Sequence, residues 1–219
     1  MLATPLERPG AVLRKLIEGD IVLLPGVFSA ISAKSASSAG AKALYLSGAG
    51  VTNSLLAVPD IALLTMSEMA QQARYVCSAS GLPVIADADT GYGEALSVFR
   101  TVREFEAAGL AGLHIEDQLS PKRCGHLDGK SLVPVEAMQA KLRAAADARR
   151  DKSFVLIART DARAVEGLDA AADRARAYVD AGADAIFPEG LESESEFAEF
   201  RRAVQVPLLA NMTEFGKTP

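Results

Sequence analysis

The run Asp87-Ala88-Asp89-Thr90-Gly91-Tyr92-Gly93 sets two carboxylates one residue apart at the end of a short apolar stretch. Its glycines let the backbone turn away, so both acids can face one point. Such a donor set suits a hard cation. Mg²⁺ takes a few carboxylate oxygens and completes its shell with water and substrate oxygens, whereas zinc favours histidine and cysteine. An aspartate capping the following helix is the alternative reading. Glu116-Asp117, closing a second apolar stretch, adds further acidic groups.

Lys122-Arg123-Cys124-Gly125-His126 is polar and glycine-punctuated, an uncommon setting for cysteine, which is usually a small buried hydrophobe. Lys122, Arg123 and His126 would favour a thiolate, and a thiol with an ordinary pKa of about 8.5 can donate a proton once tuned. A bystander cysteine in a surface loop is the competing reading. Arg159 ends the apolar run Phe154-Val155-Leu156-Ile157-Ala158, where its guanidinium could grip a substrate carboxylate through two parallel hydrogen bonds, pair with Asp161 or Glu189, or do both. His114, inside an apolar stretch, reads as structural, which leaves His126 as the functional histidine. Cys77 reads as a packed helix residue without a role.

Elements must carry these groups to one place. Apolar runs at 21–24, 43–46, 84–86, 112–115, 154–158, 185–187 and 207–210 read as seven strands, and stretches at 67–79, 95–107, 135–149, 168–181 and 194–204 return apolar residues at helical spacing. Alternation of this kind specifies an α/β fold of parallel strands and crossover helices. One phrase recurs three times: Ser38-Ala39-Gly40 before Ala43-Leu44-Tyr45-Leu46-Ser47, Ala107-Ala108-Gly109 before Gly112-Leu113-His114-Ile115-Glu116, and Asp180-Ala181-Gly182 before Ala185-Ile186-Phe187-Pro188-Glu189. Each glycine is a helix stop, and each phrase ends on a polar residue at the C-terminal end of a strand. Ser47, Glu116 and Glu189 therefore share a rim with Asp87, Asn211, Arg159 and Asp161. A (β/α)₈ TIM-type barrel gathers its active site on that face, and an open doubly wound sheet is the alternative. Seven strands in 219 residues fall short of the roughly 250 of a typical barrel. The expectation is one barrel domain over 1–219, with the eighth strand and terminal helices missing at the C-terminus.

Composition sets the outer bounds. With 49% hydrophobic and 23% charged residues the chain can bury a substantial core, and a net charge of −5 argues against a nucleic-acid surface. No apolar run approaches the roughly 18 residues of a membrane span. Residues 1–10 hold Glu7, Arg8 and two prolines in place of a basic start and an apolar run, so no secretory signal is expected and the cytoplasm is the expected location. Two cysteines build no disulfide framework. A small-molecule substrate fits these bounds.

Taken together, these residues resemble the isocitrate lyase and phosphoenolpyruvate mutase superfamily over almost the whole chain. Lys122-Arg123-Cys124-Gly125-His126 looks like the signature of its carbon–carbon lyases. It is supported by Tyr45-Leu46-Ser47-Gly48, the Asp87 to Gly93 run, His114-Ile115-Glu116-Asp117-Gln118, Ala158-Arg159-Thr160-Asp161 and Asn211-Met212-Thr213-Glu214-Phe215-Gly216. The resemblance implies a Mg²⁺ site, with Mn²⁺ as a substitute, in which Asp87 and Asp89 hold the ion directly or through water and Asp60 and Glu116 stand outside them. It implies that Ser47, Gly48 and Ala49 bind a 2-oxoacid portion, with Ala49 where close relatives often carry glycine. Gly125, His126, Asn211 and Thr213 would grip a succinate portion, and Arg159 with Glu189 would complete the wall. Cys124 would protonate the carbanion, while Tyr45 is the candidate base for the hydroxyl proton. The methylisocitrate lyases are the nearer match: phosphonomutases and phosphonopyruvate hydrolases need no Cys-Gly-His, and isocitrate lyases proper are longer. The implied reaction is retro-aldol cleavage of 2-methylisocitrate to pyruvate and succinate in propionate breakdown, by a homotetramer. Related 2-hydroxy or 2-oxo acids, or a non-catalytic truncated relative, are the rival readings.

Overall fold

In the computed structural model, which describes residues 3–123, 125, 129–213 and 218, the apolar runs line up as one parallel sheet of six strands. These are β1 (Gly26–Val27), β2 (Leu44–Leu46), β3 (Val84–Asp87), β4 (Gly112–Glu116), β5 (Val155–Thr160) and β6 (Ala185–Pro188). The helices are α1 (Pro9–Ile17), α2 (Ala30–Ser38), α3 (Gly48–Leu56), α4 (Met66–Ser80), α5 (Ala95–Ala107), α6 (Val135–Ala148), α7 (Leu168–Asp180) and α8 (Glu194–Ala203), with a 3₁₀ turn at Ala162–Ala164. Strand order in space is strand order in the chain, and every pair is parallel. A doubly wound sheet would reverse its order at a switch point. With no reversal among the described strands, the fold is of the (β/α) barrel class.

Period-two alternation divides the strand residues between two cores. Leu44, Leu46, Val84, Ala86, Leu113, Ile115, Leu156, Ala158 and Ile186 join the helices in the larger apolar cluster. Ala43, Ile85, Val155, Ile157, Ala185 and Phe187 form a smaller inner cluster with Leu13 of α1. Helix α1 therefore packs against the strands from the end opposite the polar rim. Its approach is close: a Cβ on Gly10 would lie 2.4 Å from the Ser153 carbonyl oxygen.

The repeated glycines act as expected. Gly40, Gly109 and Gly182 take φ values of +93°, +92° and +110° at the ends of α2, α5 and α7, a region costly to residues with a Cβ. Helix starts are fixed by side chains: Ser29 with Ser32 and Thr65 with Glu68 form reciprocal capping boxes on α2 and α4.

Two strands differ from expectation. Residues 21–24 carry no ladder; Ile21 and Leu23 are 91% and 80% exposed, and pairing begins only where Tyr45 N donates to Pro25 O. Alternation persists there, since Val22 and Leu24 touch the inner cluster, but among the described residues no strand lies on the far side to hydrogen-bond it. Residues 207–210 form an isolated bridge between Leu208 and Ile186 instead of a full strand, and Pro207, lacking an N–H, contributes only its carbonyl, accepting from Ile186 N. No helix among the described residues is long and apolar enough to cross a membrane.

Candidate active site

The rim residues meet where the parallel register places their strand ends. Ser47 leaves β2 and caps α3, its Oγ accepting from Gly50 N at 3.1 Å. The small residues Gly48 and Ala49 thus open a helix. Gly48 is there for space, because a Cβ on it would sit 2.7 Å from Asp87 Oδ2. Asp87 ends β3, and its Oδ1 accepts from Asp89 N at 2.9 Å, with Asp89 at φ +47°. Both aspartates and Glu116, at the end of β4, are buried.

Opposite these acids stands Lys122, itself only 3% exposed. Its Nζ lies 2.5 Å from Asp60 Oδ2 and 2.9 Å from Asp89 Oδ1. Burial works against its charge, but Asp87, Asp89, Glu116 and Asp60 outweigh that and hold it protonated well above the ordinary lysine range. Burial also opposes the charge on Asp87, yet the His114 ring, Lys122 and Arg159 keep its pKa below normal. Asp89 goes the other way, pushed up to about 6 by burial and by Asp87. Burial pushes the Glu116 carboxyl up too. Neither Glu116 oxygen accepts a hydrogen bond, although the Arg159 Nε faces Oε2 at 3.3 Å. Two buried aspartates and an under-satisfied glutamate fit a hydrated divalent cation. Among the described residues, no group of three or more acidic, histidine or cysteine side chains is placed to hold a metal ion by itself.

Arg159, at the end of β5, is the hub of the second half. It donates to both oxygens of Asp161 at 3.0 and 3.1 Å, pairs with Glu189 Oε2 at 3.2 Å, and lies 5.1 Å above the Phe187 ring. Both sequence readings of Arg159 as an ion-pair partner therefore hold. Asn211 Nδ2 reaches Glu189 Oε2 at 3.4 Å, and half-buried Thr213 follows two residues on. The backbone at Gly125 presses on this group: a Cβ there would fall 2.4 Å from Arg159 Nη2 and 2.5 Å from Glu189 Cγ. Lys130 pairs with Asp161 at 3.1 Å and donates to the Gly125 carbonyl. Cys124 and His126 lie outside the described residues.

Tyr45 and His114 make a third group. The Tyr45 Oη is 2.7 Å from His114 Nε2, which in turn lies 3.6 Å from Asp87 Oδ1. Burial, then the Asp87 charge, pushes the tyrosine well above its ordinary pKa, while burial drops His114 to about 4. Both are neutral near pH 7. The sequence reading took His114 as structural, whereas it touches the candidate base. Lys130 and Asp117 were likewise not assigned site roles, and Lys122 was read only as a neighbour favouring the Cys124 thiolate. Asp117, fully buried, accepts from Thr160 Oγ1, Asp161 N and Tyr178 Oη at 2.7, 3.0 and 2.8 Å, so it fixes the chain end that orients Arg159. The pairing of Lys122 with Asp60 spans 62 residues and leaves no local sequence signal.

Residues 13–219 match the family model described as Phosphoenolpyruvate phosphomutase. The 2-methylisocitrate lyase of Aeropyrum pernix is 58% identical over 216 residues, covering 98% of this chain and 69% of that one. The chain belongs to the phosphoenolpyruvate mutase and isocitrate lyase superfamily. Two solved members show how far the superfamily likeness extends in three dimensions. The crystal structure of 2,3-dimethylmalate lyase matches with a TM-score of 0.92 at 39% identity, over 98% of this chain and 73% of that one. That of phosphonopyruvate hydrolase in complex with oxalate and Mg²⁺ matches with a TM-score of 0.82 at 35% identity, over 91% and 70%.

Proposed function

We propose that the chain is a Mg²⁺-dependent carbon–carbon lyase that cleaves 2-methylisocitrate to pyruvate and succinate. The observation that carries this reading is the meeting, at one rim, of the Asp87, Asp89 and Glu116 acids with Arg159 and the Gly125 backbone, in a chain 58% identical to a 2-methylisocitrate lyase. Asp87 and Asp89 would hold the ion directly or through water, with Asp60 and Glu116 outside them, and the ion would supply Lewis acidity toward the oxygens of a 2-hydroxy acid. Ser47, Gly48 and Ala49 bind the part that becomes the 2-oxoacid. Arg159, Glu189, Asn211, Thr213 and Gly125 line the dicarboxylate part, and His126 would bind it as the resemblance implies.

The chain's residues then divide the proton work. A neutral Tyr45 cannot act as a tyrosinate near pH 7, so it takes the hydroxyl proton by passing its own to the neutral His114 ring 2.7 Å away. Breaking the C–C bond sends the electron pair into the succinate fragment. Cationic and amide donors around that fragment stabilise the developing charge, and Cys124 protonates its carbon. On this reading the segment 119–131, which carries Gly125 and Gly129, would close over bound substrate and exclude water. A cytoplasmic homotetramer acting on a small carboxylic acid, with no nucleic-acid or membrane partner, completes the reading.

Product analysis with 2-methylisocitrate, isocitrate, 2,3-dimethylmalate and oxaloacetate tests it. Pyruvate and succinate should form fastest from 2-methylisocitrate, stop with EDTA and return with Mg²⁺ or Mn²⁺. Cys124→Ser should remove turnover by about 10²-fold or more, the scale of general acid catalysis. Turnover that survives thorough chelation, or a faster reaction with another acid of the panel, would reject the assignment.

A further inference from the structure

The acids assigned to the cation already face one. Lys122 enters the cluster from the segment 119–131 and bridges Asp60 and Asp89 at 2.5 and 2.9 Å. An ammonium and a divalent ion seek the same oxygens and repel each other at such range, the more so where burial lowers the local dielectric. Lys122 is also fixed to its segment: the Gln118 side chain clasps the next residue on both sides, accepting from Arg123 N at 2.9 Å and donating to Arg123 O at 2.9 Å. Further along, Gly125 abuts Arg159 and Glu189, and Lys130 pairs with Asp161 at 3.1 Å. The segment is thus pinned to the rim at three places, the first through the cation cluster itself.

We infer that Lys122 is a built-in counter-ion that a divalent cation displaces from Asp60 and Asp89. The inference rests on the reading of Asp87 and Asp89 as the cation site. It makes Lys122 a positioning residue, one that keeps the acid cluster neutralised before the ion arrives.

Two measurements on the whole chain decide it. In the first, wild-type protein is treated with a small amine-acylating reagent, with and without MgCl₂, and each lysine is quantified by peptide mass spectrometry. Lys122 should become several-fold more reactive with Mg²⁺, while Lys141, whose Nζ donates to Thr90 O at 3.0 Å, stays unchanged. In the second, calorimetric titration with MgCl₂ compares wild type with Lys122→Gln and Lys122→Met, which should bind about tenfold more tightly because a competing charge is gone. A Lys122 that stays protected at saturating Mg²⁺, or a folded variant that binds no more tightly, overturns the displacement and leaves the metal site standing. No Mg²⁺ binding to any form overturns both.

Discussion

At the scale of single residues, environment decides what a side-chain type does. Cys77 shows this plainly. Cys77, in α4 beside Gly109, is largely enclosed, and burial pushes its thiol up to about 12. Its unfolded counterpart ionises near pH 9, so the folded state gains nothing from the thiol below that value and loses stability as the pH climbs from about 9 toward 12. Urea unfolding should show this decline, and Cys77→Ala should flatten it. At pH 8 a thiol reagent should modify Cys77 far more slowly in the folded than in the urea-unfolded chain. Equal rates would mean that Cys77 is open to solvent. Sequence legibility follows the same logic. Asp87, Asp89, Glu116 and Arg159 could be read as site residues because strand ends and glycines locate them. Lys122 and His114 could not, because their roles come from Asp60 and Tyr45, 62 and 69 positions away.

At the scale of elements, the ends of β4 and β5 are tied together beneath the site. Asp117 holds Thr160, the Asp161 backbone and Tyr178, and Tyr178 in turn accepts from Arg174, which grips Glu166 at 2.7 and 2.8 Å. Replacing Asp117 with alanine should cost about 2–4 kcal/mol in urea unfolding, since three buried donors lose their acceptor. Asp117→Asn, which keeps one carbonyl oxygen, should cost less. Equal and small losses for both would show that the tie between β4 and β5 is not structural. The helix boundaries of α4 to α8 fall within one or two residues of those expected from periodicity, because each buries an apolar stripe against the sheet. The strands at 21–24 and 207–210 were the misjudged ones. Apolar alternation marks a chain that can form a strand, but a ladder also needs a partner strand on at least one side.

At the scale of the whole molecule, the sheet brings buried acidic strand ends together at one rim. Four carboxylates, Asp60, Asp87, Asp89 and Glu116, stand around one ammonium, an arrangement that a ligand bearing the opposite charges should stabilise. Oxalate with Mg²⁺, the pair bound by the phosphonopyruvate hydrolase neighbour, should therefore raise the melting temperature more than either alone, by several degrees if both are present at about 100 times their Kd. Thermal scans of the chain with each component singly and together would measure this, and purely additive shifts would argue against a shared site.

The amino-acid sequence alone determined the alternation of strands and helices, the glycine stops, the shared rim and the acidic run, because each depends on spacing of at most a dozen residues. It also carried the superfamily resemblance. The tertiary structure alone decided the rest. Strand order without a reversal separated the barrel from the doubly wound sheet, Tyr45 met His114, and Lys122 entered the acid cluster. Those outcomes depend on which strand ends become neighbours, and the buried setting that results fixes the charge of every group at the rim.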